Sequence, residues 1–259
     1  MTRDELQAVI NSKPYDFLRE NEHLGKHLMY LTIGGSHAYG TNQEGSDIDI
    51  RGVALNSKED LLGLGDFEHY VDQTTDTTVF SFNKAVKLMC SGNPNMLEQL
   101  GNDDKLVICK NPMGRKLIYN KDLFLSKRVI YSFGGFANKL MEKADVIFNG
   151  LRTPLGSEEV RSRTTKKLNK TVMNAVRLYY MLFDILEKEE IVTYRENELD
   201  ILMDIRNGKY DYAQLRNEVV PVFEKRLAVD KKETSLPDNV NMELVNELVI
   251  TINEEALKV

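Results

Sequence analysis

The stretch Gly34-Gly35-Ser36-His37-Ala38-Tyr39-Gly40-Thr41-Asn42-Gln43-Glu44-Gly45-Ser46-Asp47-Ile48-Asp49-Ile50-Arg51 constrains the chain more than any other. It follows an apolar run, His27–Gly34 (HLMYLTIG), that reads as a strand ending in glycines. It leads into Ser46–Leu55 (SDIDIRGVAL), where Ile48, Ile50 and Val53 mark a half-buried strand with an irregularity at Gly52. Side chains alternate across a strand, so Asp47 and Asp49 are expected on one face. Two carboxylates that close repel and need a cation. Mg²⁺, with Mn²⁺ as the substitute, suits them because it prefers oxygen ligands and bridges one or two carboxylates to substrate phosphates. Glycines at a strand end let backbone N–H groups approach phosphate oxygens, and Ser36 adds a hydroxyl. Alone, Gly-Gly-Ser is usually a turn and Asp-x-Asp a solvated pair. In this order, with Ser36 and Asp47 eleven residues apart, they are far more specific.

Around this centre, residues 4–20 read as an amphipathic helix broken near Asn11 to Pro14. Thr74–Phe82 (TTDTTVFSF) reads as a strand leading into a helix over Asn83–Ser91, and Met96–Leu100 as a short helix. Leu106–Cys109 is a short apolar strand or extended piece before Asn111-Pro112, where the domain boundary is placed: 1–110, then 111–259. Beyond it the periodicity is helical over Val129–Phe148, Leu168–Glu187 and Glu196–Ile205, with Gly208 as a stop and Ser157 as a candidate N-cap. Lys225–Asp238 is charged and reads as a loop or fraying segment before a last helix, Met242–Leu257. The expected fold class is α+β, a mixed sheet with flanking helices followed by a mainly α-helical domain.

At 259 residues and 42% hydrophobic the chain can bury a sizeable core. Two cysteines, Cys90 and Cys109, are too few for a disulfide framework. The N-terminus lacks the apolar stretch of a signal peptide, and no run suits a membrane span, so a soluble, cytoplasmic protein is expected. The net charge of −6 argues against a general nucleic-acid binder, but it conceals an asymmetry. Lys110–Arg177 carries fifteen Lys and Arg against five acids. Lys166, Lys170 and Arg177 fall at helical spacing, as one stripe able to meet a triphosphate or an RNA backbone.

GGSHAYGTNQEGSDIDIRGV, with GNPNMLEQL and LFLSKR further on, resembles a bacterial and phage family of nucleotidyltransferases in the DNA polymerase beta superfamily that includes RNA-ligase-associated, RNA-repair polymerases. The resemblance implies that Gly35 and Ser36 hold the triphosphate while Asp47 and Asp49 hold the metals. It also implies a third carboxylate on a neighbouring strand, for which Asp76 is the choice and Asp72 the alternative. Arg51, on the face of Asp49, is either a phosphate contact or a structural salt bridge. Tyr39 either stacks on a base or packs on the domain, and His37 either meets phosphate or packs. Glu98 stands behind the site. The pattern departs at Asn174, where related sequences tend to carry histidine. The expected activity is Mg²⁺-dependent transfer of a nucleoside monophosphate from an NTP to an acceptor hydroxyl, with an RNA 3′ end preferred. The rivals are nucleotidylation of a protein or small-molecule hydroxyl, and a non-catalytic nucleotide or RNA binder.

Overall fold

The computed structural model describes residues 3–153 and 156–258. The contacts of the chain divide it into two units. The first comprises Met1–Leu125, Val192–Tyr194 and Asn239–Val259, and the second Ser126–Ile191 with Arg195–Asp238. The expected α+β class holds.

The first unit is built on a five-stranded mixed sheet of β1 (Leu28–Ile33), β2 (Ile50–Ala54), β3 (His69–Asp72), β4 (Thr77–Ser81) and β5 (Val107–Lys110), in the order β3-β4-β2-β1-β5. β2 and β4 run parallel and the other pairs antiparallel. Near-continuous burial of β1 explains its unbroken apolar run. Helices α1 (Arg3–Ile10) and α2 (Phe17–Glu20) cover one face, where Leu6, Ile10 and Leu18 join Leu31, Ile33, Ile50 and Val79 in a core. Tyr30, one residue out of phase, sends its hydroxyl 2.8 Å to the Gln99 carbonyl. That carbonyl belongs to α6 (Pro94–Leu100), which follows α3 (Gly35–Tyr39), α4 (Lys58–Leu62) and α5 (Phe82–Cys90). α7 (Pro112–Tyr119) lies so close to β1 that a Cβ on Gly114 would come 2.1 Å from the Met29 carbonyl oxygen.

In the second unit α8 (Arg128–Leu151) and α9 (Glu158–Lys188) pack antiparallel, Gly134 beside Leu182 and Asn138 bonded to Tyr179. α10 (Leu199–Arg206), α11 (Tyr212–Gln214) and α12 (Val220–Glu233) complete it. The last helix, α13 (Met242–Ala256), belongs to the first unit. Ser157 caps α9 as expected, accepting from the Val160 N–H at 3.4 Å. Among the described residues no helix is long and apolar enough to cross a membrane.

Several local expectations are corrected. β2 starts at Ile50 rather than Ser46, because β1 ends opposite it at Ile33 and β4 begins beside it at Thr77, leaving no ladder for residues 46–49. Asp76 accordingly lies in the turn before β4 and not on the strand. The glycine turn after β1 continues directly into a short helix, Gly35–Tyr39. Much of Lys225–Asp238 belongs to α12, since Lys, Arg and Glu are good helix formers and Arg226 anchors the helix on Glu187 at 2.5 Å.

Candidate active site

Three strand ends meet at one end of the sheet. β1 leaves the sheet at Ile33 opposite Ile50, and β2 and β4 start level, with Ile50 beside Thr77. Asp49 and Asp76, each one residue upstream of its strand, are neighbours for that reason. The Ile50 N–H donates to the Asp76 carbonyl at 3.1 Å, and the Gly34 N–H to the Asp49 carbonyl at 2.8 Å.

Gly35 opens α3 with φ +59°, and a Cβ built there would lie 1.7 Å from Asp49 Oδ2. The space of the missing side chain is filled by the aspartate carboxylate, which is why the turn requires glycine twice over. Arg51 closes the arrangement. Its guanidinium donates to Asp49 Oδ1 at 3.3 Å, to Asp76 Oδ1 at 3.0 Å and to the Asp76 carbonyl at 2.5 Å. A hydrogen bond with the Asp49 carboxyl, reinforced by the Arg51 charge, holds Asp76 below the usual carboxylate range. Asp76 also takes a positive φ of 45°, which is uncommon outside glycine and tolerated best by Asn and Asp.

Asp47 is exposed, two residues before Asp49, and among the described residues no cation pairs with it. The Ser36 hydroxyl has no hydrogen-bond partner among the described residues. Asp72, in contrast, is occupied in the β3–β4 turn, accepting from the Thr75 N–H at 2.8 Å and its hydroxyl at 2.9 Å. Asp76, and not Asp72, stands beside Asp49.

Among the described residues no three acidic, histidine or cysteine side chains are grouped as a ready metal cage. The donor chemistry still fits Mg²⁺. Asp49 and Asp76 already share one cation, the Arg51 guanidinium, and Mg²⁺ is commonly held by one or two carboxylates, with water and phosphate oxygens completing its shell.

The surrounding loop is braced. Tyr39 is half-buried and donates its hydroxyl to Glu98 Oε1 at 2.7 Å, and Glu98 is itself buried on α6. His37 reaches the Ser46 carbonyl at 3.4 Å, tying α3 to the segment before Asp47. Sequence reasoning missed three supports. Asn102 donates to the Ile33 carbonyl at 2.9 Å, Thr193 donates to the Glu98 carbonyl at 2.6 Å, and the Tyr194 ring covers Gly40. Thr193 and Tyr194 sit between stretches of the second unit, and no local periodicity announces them.

Lys166 and Lys170 are exposed on α9 in the second unit. The expected stripe fails at Arg177, which is 4% exposed with its Nη1 3.0 Å from the Met181 sulfur. Helical spacing alone could not tell that position from its solvated neighbours.

A model of the RNA repair pathway DNA polymerase beta family matches residues 3–251. No curated protein matches the chain.

Proposed function

The chain belongs to the RNA repair pathway DNA polymerase beta family, and from that premise we propose that it transfers a nucleoside monophosphate from an NTP to the 3′ hydroxyl of an RNA end. The acceptor oxygen attacks the α-phosphorus, the bond to the bridging oxygen breaks, and pyrophosphate leaves. The observation that carries this reading is the level placement of Asp49 and Asp76 at the starts of β2 and β4, with the Asp49 carboxylate against Gly35.

Gly35 and Ser36 hold the triphosphate through backbone N–H groups and the serine hydroxyl. Asp47, Asp49 and Asp76 would hold Mg²⁺, which when bound neutralises phosphate charge and favours ionisation of the attacking hydroxyl. Asp76, kept ionised by its neighbours, is available to take the hydroxyl proton. Arg51 acts as a positioning residue, holding the two carboxyl groups side by side until substrate arrives. Tyr39 is held in place by the bond of its hydroxyl to Glu98, and Lys166 and Lys170, exposed on α9, are available to phosphates of an RNA strand.

The test is a single-turnover reaction of the full chain with α-labelled NTPs, Mg²⁺ or Mn²⁺, and a mixed pool of RNA and protein. Wild type is expected to label RNA 3′ ends. Asp47→Ala combined with Asp49→Ala should abolish labelling, and Asp76→Ala should cut it at least 100-fold, the scale of one general-base contribution. Label on protein would move the acceptor. No label on any acceptor with either cation would end the enzymatic reading.

A further inference from the structure

The second unit contains a pocket of about 510 Å³, the size of a small-molecule site, assembled from three places in the sequence. Phe148 and Arg152 come from the end of α8, Arg161 from the start of α9, and Lys209, Tyr210 and Tyr212 from the segment after α10. Gly208 makes the assembly possible. Its φ of +75° turns the chain back, and a Cβ there would fall 2.7 Å from Asn169 Nδ2, so only glycine lets this segment lie against α9.

Two kinds of surface share the pocket. One is aromatic. Phe148 rests on Tyr212 with ring centroids 4.8 Å apart, and the Tyr212 hydroxyl is anchored on Asp145 at 2.6 Å, so this floor is rigid. Tyr210 is 41% exposed and leaves a ring face open. The other surface is cationic. Arg152 and Arg161 are exposed and, among the described residues, neither is ion-paired. Lys209 is held by Asp204 at 2.6 Å. The one acid in the lining, Asp211, already accepts from the Gln214 N–H at 3.0 Å.

We infer that this pocket binds one unstacked nucleotide of single-stranded RNA, its base against Tyr210 and its flanking phosphates on Arg152 and Arg161. Cations alone would suit any polyanion. An open aromatic face beside unpaired guanidiniums suits a base with its phosphates, and a concave site admits a splayed base that a duplex does not present. The choice of RNA rests on the acceptor reading above, whereas the pocket itself does not.

Fluorescence anisotropy with a short labelled single-stranded RNA tests this on the full chain. Tyr210→Ala should weaken binding roughly 5- to 150-fold, the range of one base stack, while Tyr210→Phe, which keeps the ring face, should bind like wild type. Arg152→Ala combined with Arg161→Ala should lower the log–log salt slope by about 1.4, two single-strand phosphate contacts. These side chains are exposed, so thermal midpoints should stay in place. Unchanged affinity and salt slope in these variants would overturn the pocket. So would equal, equally sensitive binding of duplex RNA or of polyglutamate. Intact, variant-sensitive binding with no labelling of RNA ends would sink the proposed acceptor and leave the pocket standing.

Discussion

At Gly35 one hydrogen atom separates a working arrangement from a blocked one. Gly35→Ala would drive a methyl group into the Asp49 carboxylate and also require a left-handed backbone costing about 1–2 kcal/mol. Nucleotidyl transfer is expected to fall at least 100-fold, a loss of about 3 kcal/mol in barrier terms, while the strain lowers the thermal midpoint by only several degrees and leaves the chain folded at assay temperature. Assaying turnover beside a melting curve checks both. Cys109 gives a residue-scale prediction away from the site. Burial pushes its thiol up to about 11. The thiolate is then scarce at pH 8, and alkylation there should run about a hundredfold slower than for an ordinary thiol, measured per site by mass spectrometry. Because the folded-state value is raised, its contribution to stability is complete below the ordinary thiol range and is lost as pH climbs through about 11.

Among the elements, the contact of α7 with β1 is the tightest to test. Gly114→Ala gains about 1 kcal/mol of helix propensity but sets a Cβ on the Met29 carbonyl, which also accepts from the Asn111 N–H at 3.0 Å. Overpacking against fixed backbone costs about 1–3 kcal/mol, so the urea midpoint should fall with the m-value unchanged. At this scale the sequence was partly legible. β1, β5, α5, α8 and α13 follow from apolar runs and helical spacing, because each buries one face or one strip. β3 was not legible: His69, Tyr70, Val71 and Asp72 are exposed or half-exposed at the sheet edge and give little apolar signal. The site divided the same way. The glycine turn and the Asp47-x-Asp49 segment are local and could be read, and Asp76 was reached only through the resemblance. Its neighbour relation to Asp49 is a parallel pairing across 27 residues, and Arg51's double contact with the two acids follows from that pairing.

For the molecule as a whole, the decisive feature is that the first unit is discontinuous in sequence. α13 belongs to it through buried Val245, Leu248 and Ile252, an Asn253–Asn83 hydrogen bond of 3.0 Å and a Lys116–Glu255 ion pair of 2.6 Å. A fragment ending at Leu125 should therefore unfold without a sharp transition and bind a hydrophobic dye. Linking residues 239–259 back to it should restore cooperative melting, and calorimetry on both fragments decides the point. The same arrangement sets a schedule. A ribosome adding about 5–20 residues per second needs roughly 6 to 25 seconds to pass from Leu125 to the last helix. For that interval the acids and the glycine turn have already been made while the unit that carries them is unfinished, so its apolar surface is expected to stay open to chaperones and to proteases until residues 239–258 emerge.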